Sequence, residues 1–259
     1  MCRLLGYCAR DETALADLIG DDGLGRFVAL SELHSDGWGM AWYEGSEPRI
    51  RKSPLRADDP EFEKLARQPL GDLGLVHLRW ATPGLAVNDS NTHPFRYGSY
   101  AFAHNGAVHP QDRLGEILPP AWEDRVCGTT ESERYLLLIM SLLPAHGGDM
   151  VAAIAAAAAA IERAFAPNSL NAVLLAPSHL YAISWHDRAK VPEAKLRERG
   201  YRDRPEEIAA YFDLAYQARA DAVVIASSGW PQAGWSPVPN RHVVVVERGT
   251  LGTRVLPLT

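Results

Sequence analysis

A chain of 259 residues, 47% of them apolar and 22% charged, suits one large domain or two small ones and can bury a real core. A formal net charge of −6, with no Lys/Arg-rich block, argues against nucleic acid or anionic membrane as a partner. Three cysteines (Cys2, Cys8 and Cys127) at no metal-type spacing, behind no export-type leader, predict a reduced, cytoplasmic setting with no disulfide framework.

In chain order, ETALADLI (12–19) predicts a helix, GMAWY (39–43) a strand and DPEFEKLARQ (59–68) a second helix. Strands follow at LGLVHLRW (73–80) and SYAFAHN (99–105), and then a helix over 130–143 whose Thr130 and Glu133 fit a capping box. The alanine-rich run 151–166 predicts a close-packed helix, because alanine is the best helix former; Glu162 and Arg163 end it too soon for a bilayer span. Strands are predicted at 171–176, 179–184, 222–227 and 241–247, with a charged excursion over 185–203 and a helix over 204–218. Strands and helices each come in adjacent pairs rather than in βαβ alternation. That pattern predicts an α+β protein of antiparallel sheets with helices outside them. With no repeat and no dividing linker, residues 1–259 read as one domain.

Four stretches carry chemistry: Cys2, SDGWGMAWY (35–43), HLRWATPG (77–84) and AHNGAV (103–108). Cysteine at position 2 reads either as a small buried apolar residue or as a nucleophile. Removal of Met1 would leave a thiol and an α-amine on one residue, and an α-amine titrating at roughly 7.7–8.0 can serve as the base. Asn105-Gly106 reads either as a hairpin turn or as an oxyanion hole, in which an amide side chain and a glycine N–H meet one developing charge. Arg79, closing a strand beside an aromatic, is an ordinary exposed arginine or a fork for a substrate carboxylate.

In this order the pieces resemble the class II glutamine amidotransferases of the N-terminal-nucleophile (Ntn) hydrolase superfamily. MCRLLGY, HSDGWGMAWY, HLRWATPG, NTHPF (91–95), AHNGAV and GTTESE (128–133) carry the resemblance, and VIASSGWPQAGWSPVPNRHVVVV (224–246) resembles the tail of that family's short, stand-alone branch. The resemblance implies a four-layer αββα sandwich of two antiparallel sheets. It also implies that Cys2 attacks the carbonyl of a γ-glutamyl group, with Asn105 and Gly106 holding the oxyanion. Arg79 would bind the glutamyl α-carboxylate, Trp80 and Thr82 would line the same pocket, and Glu131 would meet the α-ammonium. Two departures stand out: Glu131 occupies a position where the family usually has Asp, and ASSG (226–229) replaces the branch's usual ASEP, so that Ser228 stands in place of an acid.

The leading reading is therefore an amidohydrolase acting on a small γ-glutamyl molecule, similar to the γ-glutamyl amidohydrolase of ergothioneine biosynthesis. Within the family the alternative is a glutaminase subunit that passes ammonia to a separate synthase. If Met1 stays attached, the chain reads instead as a catalytically silent Ntn-fold binding protein. A metal hydrolase is the third reading, from His34, His77, His93, His104 and His109 with Asp36. None of these has the close spacing of a zinc motif, so neither metal nor organic cofactor is assigned, and His77 and His104 are expected as ordinary hydrogen-bonding residues at strand ends. Asp36 is expected to order the turn near Cys2, Cys8 and Cys127 to be buried thiols, and Trp230 and Trp235 to pack at a loop. The loops 185–203 and 228–237 are expected to read whatever lies beyond the scissile bond.

Overall fold

A computed structural model describes residues 2–82, 84–201 and 204–259. The first strand sets the layers. Over Arg3–Thr13, Leu4 and Cys8 face one way and Leu5, Tyr7 and Ala9 the other, and all five are buried. A strand apolar on both faces belongs in the middle of a covered sheet. It lies there, in a seven-stranded sheet of order β11 (Ser236–Pro237), β9 (Leu214–Ala218), β10 (Ala222–Ser227), β1 (Arg3–Thr13), β4 (Gly71–Leu78), β2 (Trp38–Glu44) and β3 (Glu47–Ser53). The second sheet has six strands, in the order β13 (Thr253–Pro257), β12 (His242–Glu247), β8 (His179–Ser184), β7 (Asn171–Ala176), β6 (Tyr100–Asn105) and β5 (Phe95–Tyr97). Neighbouring strands are antiparallel throughout.

Leu4, Leu73 and Leu75 of the first sheet meet Ala103, Val173 and Leu180 of the second in an apolar inter-sheet core. The sheets approach closely at Gly6, where any Cβ would sit 2.9 Å from Val173 Cγ1. The outer face of the first sheet is covered by α1 (Leu15–Ala29) and α2 (Pro60–Ala66), which bury Leu18, Phe27 and Phe62 against Leu5, Trp38 and Met40. A short helix, α3 (Pro120–Glu123), leads to α4 (Glu131–Leu142) and α5 (Met150–Ala164), which cover the second sheet through Tyr135, Ile139, Ile154 and Ile161. In α5, Ala153, Ala157 and Ala158 are fully buried, so the alanine run is a packing surface. The result is a helix–sheet–sheet–helix sandwich.

Several expectations need correction. Glu12 and Thr13 belong to β1, and the helix expected to end near 19 runs on to Ala29 across a break at Gly20 (φ 73°). The helix expected over 204–218 is only α7 (Pro205–Ala209); Leu214–Ala218 is β9. Its residues pair with Val223–Ser227, so a free sheet edge overrides local helix propensity. The capping box is half formed. Thr130 accepts from Glu133 N at 3.4 Å, but the Glu133 carboxylate turns instead to the N–H groups of Cys127 and Gly128, at 3.1 and 2.7 Å. Cys8 is buried and Cys127 is exposed.

The excursion expected over 185–203 leaves β8 through Trp185 and carries α6 (Glu193–Leu196); residues 202 and 203 lie outside the described residues. Leu196 and Tyr201 bury against Trp80, Ile208, Tyr211 and Phe212, a small core at one end of the sandwich. Among the described residues, no helix is long and apolar enough to cross a membrane.

Candidate active site

The antiparallel pairing of β1 with β4 sets Arg3 against Leu78, so Cys2, just before β1, lies beside Arg79 and Trp80, just after β4. The end of β6 brings Asn105 and Gly106 to the same place, and the first turn of α4 brings Glu131. Cys2, Arg79, Trp80, Thr82, Gly106 and Glu131 line one narrow slot, and Asn105 is hydrogen-bonded to Cys2 at its edge. All seven residues singled out from the sequence are thus brought together. Met1 lies outside the described residues.

Cys2 is 6% exposed. Its main-chain nitrogen donates to Asn105 Oδ1 at 2.8 Å. Its sulfur sits against the Trp80 backbone, 3.5 Å from the nitrogen and 3.7 Å from the carbonyl oxygen. With Oδ1 engaged, the Asn105 Nδ2 group is buried and has no hydrogen-bond partner among the described residues. A buried donor left unmatched is costly, and in a catalytic cleft it is what an oxyanion would satisfy. Gly106 must be glycine for a steric reason: a Cβ there would lie 1.9 Å from the Ser169 carbonyl oxygen.

This corner is braced by a segment whose role the sequence reading missed. Ser169 Oγ donates to the Asn105 carbonyl at 2.8 Å and accepts from Asn171 N, while Asn168 Oδ1 accepts from Ala107 N at 2.8 Å. The available signal was a polar pair, Asn168-Ser169, set directly before an apolar strand. Asp36 orders its turn as expected and reaches further. Its carboxylate accepts from Ala81 N at 2.8 Å, and its own N–H donates to the Arg79 carbonyl at 3.0 Å.

Arg79 is 2% exposed and forms no ion pair among the described residues. Its guanidinium donates to the carbonyls of Asp36 and Ala86, at 3.3 and 3.1 Å. Burial lowers its pKa, against the opposing pull of Cys2, Asp36 and Glu131. Glu131 is 2% exposed, and burial pushes its carboxyl up to about 7, outweighing its own helix N–H and the more distant Arg134 and Arg79. The slot therefore holds a buried cation with no ion-pair partner among the described residues and a buried acid that ionises reluctantly, both of which an amino-acid head group would relieve.

Among the described residues, no group of three or more His, Cys, Asp or Glu side chains is arranged to hold an ion. His104 bonds Ser132 Oγ through Nδ1 at 2.9 Å and the Ser169 carbonyl through Nε2 at 3.1 Å, tying α4 to the brace. His77 instead packs against His93, ring centroids 4.1 Å apart and the rings tilted by 33°, and burial keeps His77, His93 and His104 neutral. Trp230 and Trp235 pack edge to face, Trp230 also meeting Phe27 of α1. None of residues 228–237 lines the slot around Cys2. Ser228, in place of the expected acid, donates to the Ala210 carbonyl at 2.6 Å. The 185–203 excursion does reach the site. Arg199 lies 4.9 Å over the Trp80 ring and 3.6 Å from the Asp36 carboxylate.

The family model of the class II glutamine amidotransferases matches residues 1–256. Among curated relatives, the γ-glutamyl-hercynylcysteine sulfoxide hydrolase of Mycobacterium tuberculosis is 30% identical, over 95% of this chain and 93% of its own. The hydrolase of the same name from Mycolicibacterium smegmatis is 27% identical, over 95% of this chain and 96% of its own. A glutamine aminotransferase class-II domain protein from Silicibacter pomeroyi superposes with a TM-score of 0.66 at 20% identity, covering 99% of this chain and 100% of its own. The glutamine phosphoribosylpyrophosphate amidotransferase of Bacillus subtilis, at 16% identity and a TM-score of 0.64, covers 100% of this chain with 49% of its own.

Proposed function

The chain belongs to the class II glutamine amidotransferases, and from that premise we propose that it hydrolyses the γ-glutamyl amide bond of a small molecule through a thioester on Cys2. In the first step Cys2 Sγ bonds to the γ-carbonyl carbon, and the thiol proton passes to the Cys2 amine freed by Met1 removal. Asn105 Nδ2 and the Gly106 N–H stabilise the oxyanion, the C–N bond breaks, and the proton leaves with the departing amine. Water, deprotonated by the same amine, then adds to the thioester and releases glutamate and free Cys2. Net, one amide and one water become one carboxylate and one amine. Arg79 takes the glutamyl α-carboxylate, Glu131 the α-ammonium, and Trp80 and Thr82 the walls between them. These roles form one domain-wide design, to which both sheets and α4 contribute.

The observation that carries this reading is the 2.8 Å hydrogen bond from Cys2 N to Asn105 Oδ1. It holds the nitrogen that acts as base at the site, and leaves Asn105 Nδ2 as a buried, unmatched donor for the oxyanion. The relatives named as γ-glutamyl hydrolases support hydrolysis as the outcome.

The test is intact mass and peptide mapping before and after incubation with a diazo-ketone analogue of glutamine. Loss of Met1 with a single adduct on Cys2 is expected. Met1 retained and no adduct would sink the reading in favour of a silent binding protein.

A further inference from the structure

Beside the glutamyl slot lies a second, larger space. A cavity of 470 Å³ shares Trp80, Ala81 and Thr82 with the slot, begins again at Ala107 next to Gly106, and is closed by the excursion that carries α6. Ammonia, water-sized, needs only about 30 Å³. Space on this scale beside the oxyanion corner suits a substantial leaving group.

Its charge is distinctive. Lys190, Lys195 and Arg199 line it against one carboxylate, Glu198, in a chain whose formal net charge is −6. Arg199 is fixed by the Trp80 ring and by Asp36 at 3.6 Å, and Lys190 lies 3.5 Å from Asp187. Lys195 makes no ion pair among the described residues. It is nonetheless well anchored, because the next residue, Leu196, is fully buried among Tyr201, Ile208 and Tyr211.

We propose that this cavity is the leaving-group subsite and that it selects amines bearing a carboxylate, with Lys195 as the residue that meets the carboxylate and Lys190 and Arg199 supplying the surrounding positive field. The proposal rests on the γ-glutamyl hydrolase reading and adds to it the chemical class of the departing half: an amino acid or short peptide with a free carboxylate.

The experiment compares γ-glutamylglycine with its neutral isostere γ-glutamylglycinamide, in wild type and in Lys195→Glu. Wild type should favour γ-glutamylglycine in kcat/KM by roughly tenfold, the worth of one charge-assisted hydrogen bond, and the preference should shrink with added salt. Lys195→Glu should erase or invert that ratio. Because the ratio is compared between two enzymes, the different intrinsic leaving abilities of the two amines cancel. Lys195 is exposed, so the substitution threatens no core. A wild-type ratio that does not change with added salt would overturn the proposal and leave the hydrolase reading standing. A preference unchanged in Lys195→Glu would overturn the assignment of the carboxylate to Lys195. Turnover of neither amide, with no diazo-ketone adduct on Cys2, would remove both the hydrolase reading and the proposal built on it.

Discussion

The slot around Cys2 and the cavity under the 188–201 excursion share a wall at Trp80, Ala81 and Thr82, yet they are built on opposite principles. The slot is made from strand ends and a helix start. Its functional groups are mostly buried, and Cys2, Asn105 and Arg79 are held by hydrogen bonds to other elements. The cavity is roofed by short helical turns with exposed lysines, anchored by a few side chains such as Leu196 and Tyr201. The difference suits the two halves of an amide substrate. On the proposed reading, a constant glutamyl half would be met by fixed groups on the scaffold, and a variable leaving half by a segment that can change without disturbing the sheets.

If that division holds, changes in the slot should affect every substrate alike, and changes in the roof should affect only the choice among them. The largest effect belongs to Cys2→Ala. Losing the nucleophile should reduce kcat by at least about 10⁴-fold on any γ-glutamyl amide, with the thermal unfolding profile kept. Activity surviving on one leaving group but not another would break the division at its root. Next is Asn105→Ala, which removes the unmatched Nδ2 donor and the partner of Cys2 N. A loss of about 10²- to 10³-fold in kcat, equal for small and large leaving groups, is expected from single-turnover kinetics. Arg79→Ala should act mainly on binding, raising KM roughly ten- to a hundredfold for substrates with a free α-carboxylate. The same series measured on an α-amide analogue, which offers no carboxylate to Arg79, should show little change; an equal loss on that analogue would remove Arg79 from the role.

The two regions also differ in how much of them could be read from sequence. That Cys2, Arg79, Asn105, Gly106 and Glu131 come together was legible, the first four from short local signatures and Glu131 from the family resemblance. Antiparallel sheets were legible from strand-like runs in adjacent pairs and from the absence of βαβ order, and their number, two, from the family resemblance. Asn168 and Ser169 were not, because their importance is made by contacts with Ala107 and Asn105, about 60 positions away in the chain. Leu214–Ala218 was misread for a related reason: its strand state is imposed by the neighbouring β10. The roof shows the same limit. A charged run reads as a loop, and only the packing of Leu196 and Tyr201 onto the Trp80 end of the molecule gives its lysines a direction.

The smallest effect sharpens the division most, since it concerns pH rather than rate alone. Glu131 lies in the slot with its carboxyl raised by burial from 4.5 to about 7. Between those values the folded protein holds a proton that the unfolded chain has released. Stability must therefore fall as pH rises through that window, by roughly 3 kcal/mol at most. Glu131→Gln removes the titration, so the variant should match wild type near pH 4 and be the more stable of the two above pH 7, as read from denaturant midpoints. Catalysis should move the opposite way. An α-ammonium needs the ionised carboxylate, so wild-type KM should rise as pH drops below about 7, while Glu131→Gln should show a KM about tenfold higher at pH 8 and a flatter profile. The profile should be the same for γ-glutamylglycine and γ-glutamylglycinamide, because Glu131 belongs to the glutamyl end. A pH dependence that differed between the two amides would mean that the slot and the cavity are coupled through Trp80, and that the glutamyl half is not read independently of what leaves.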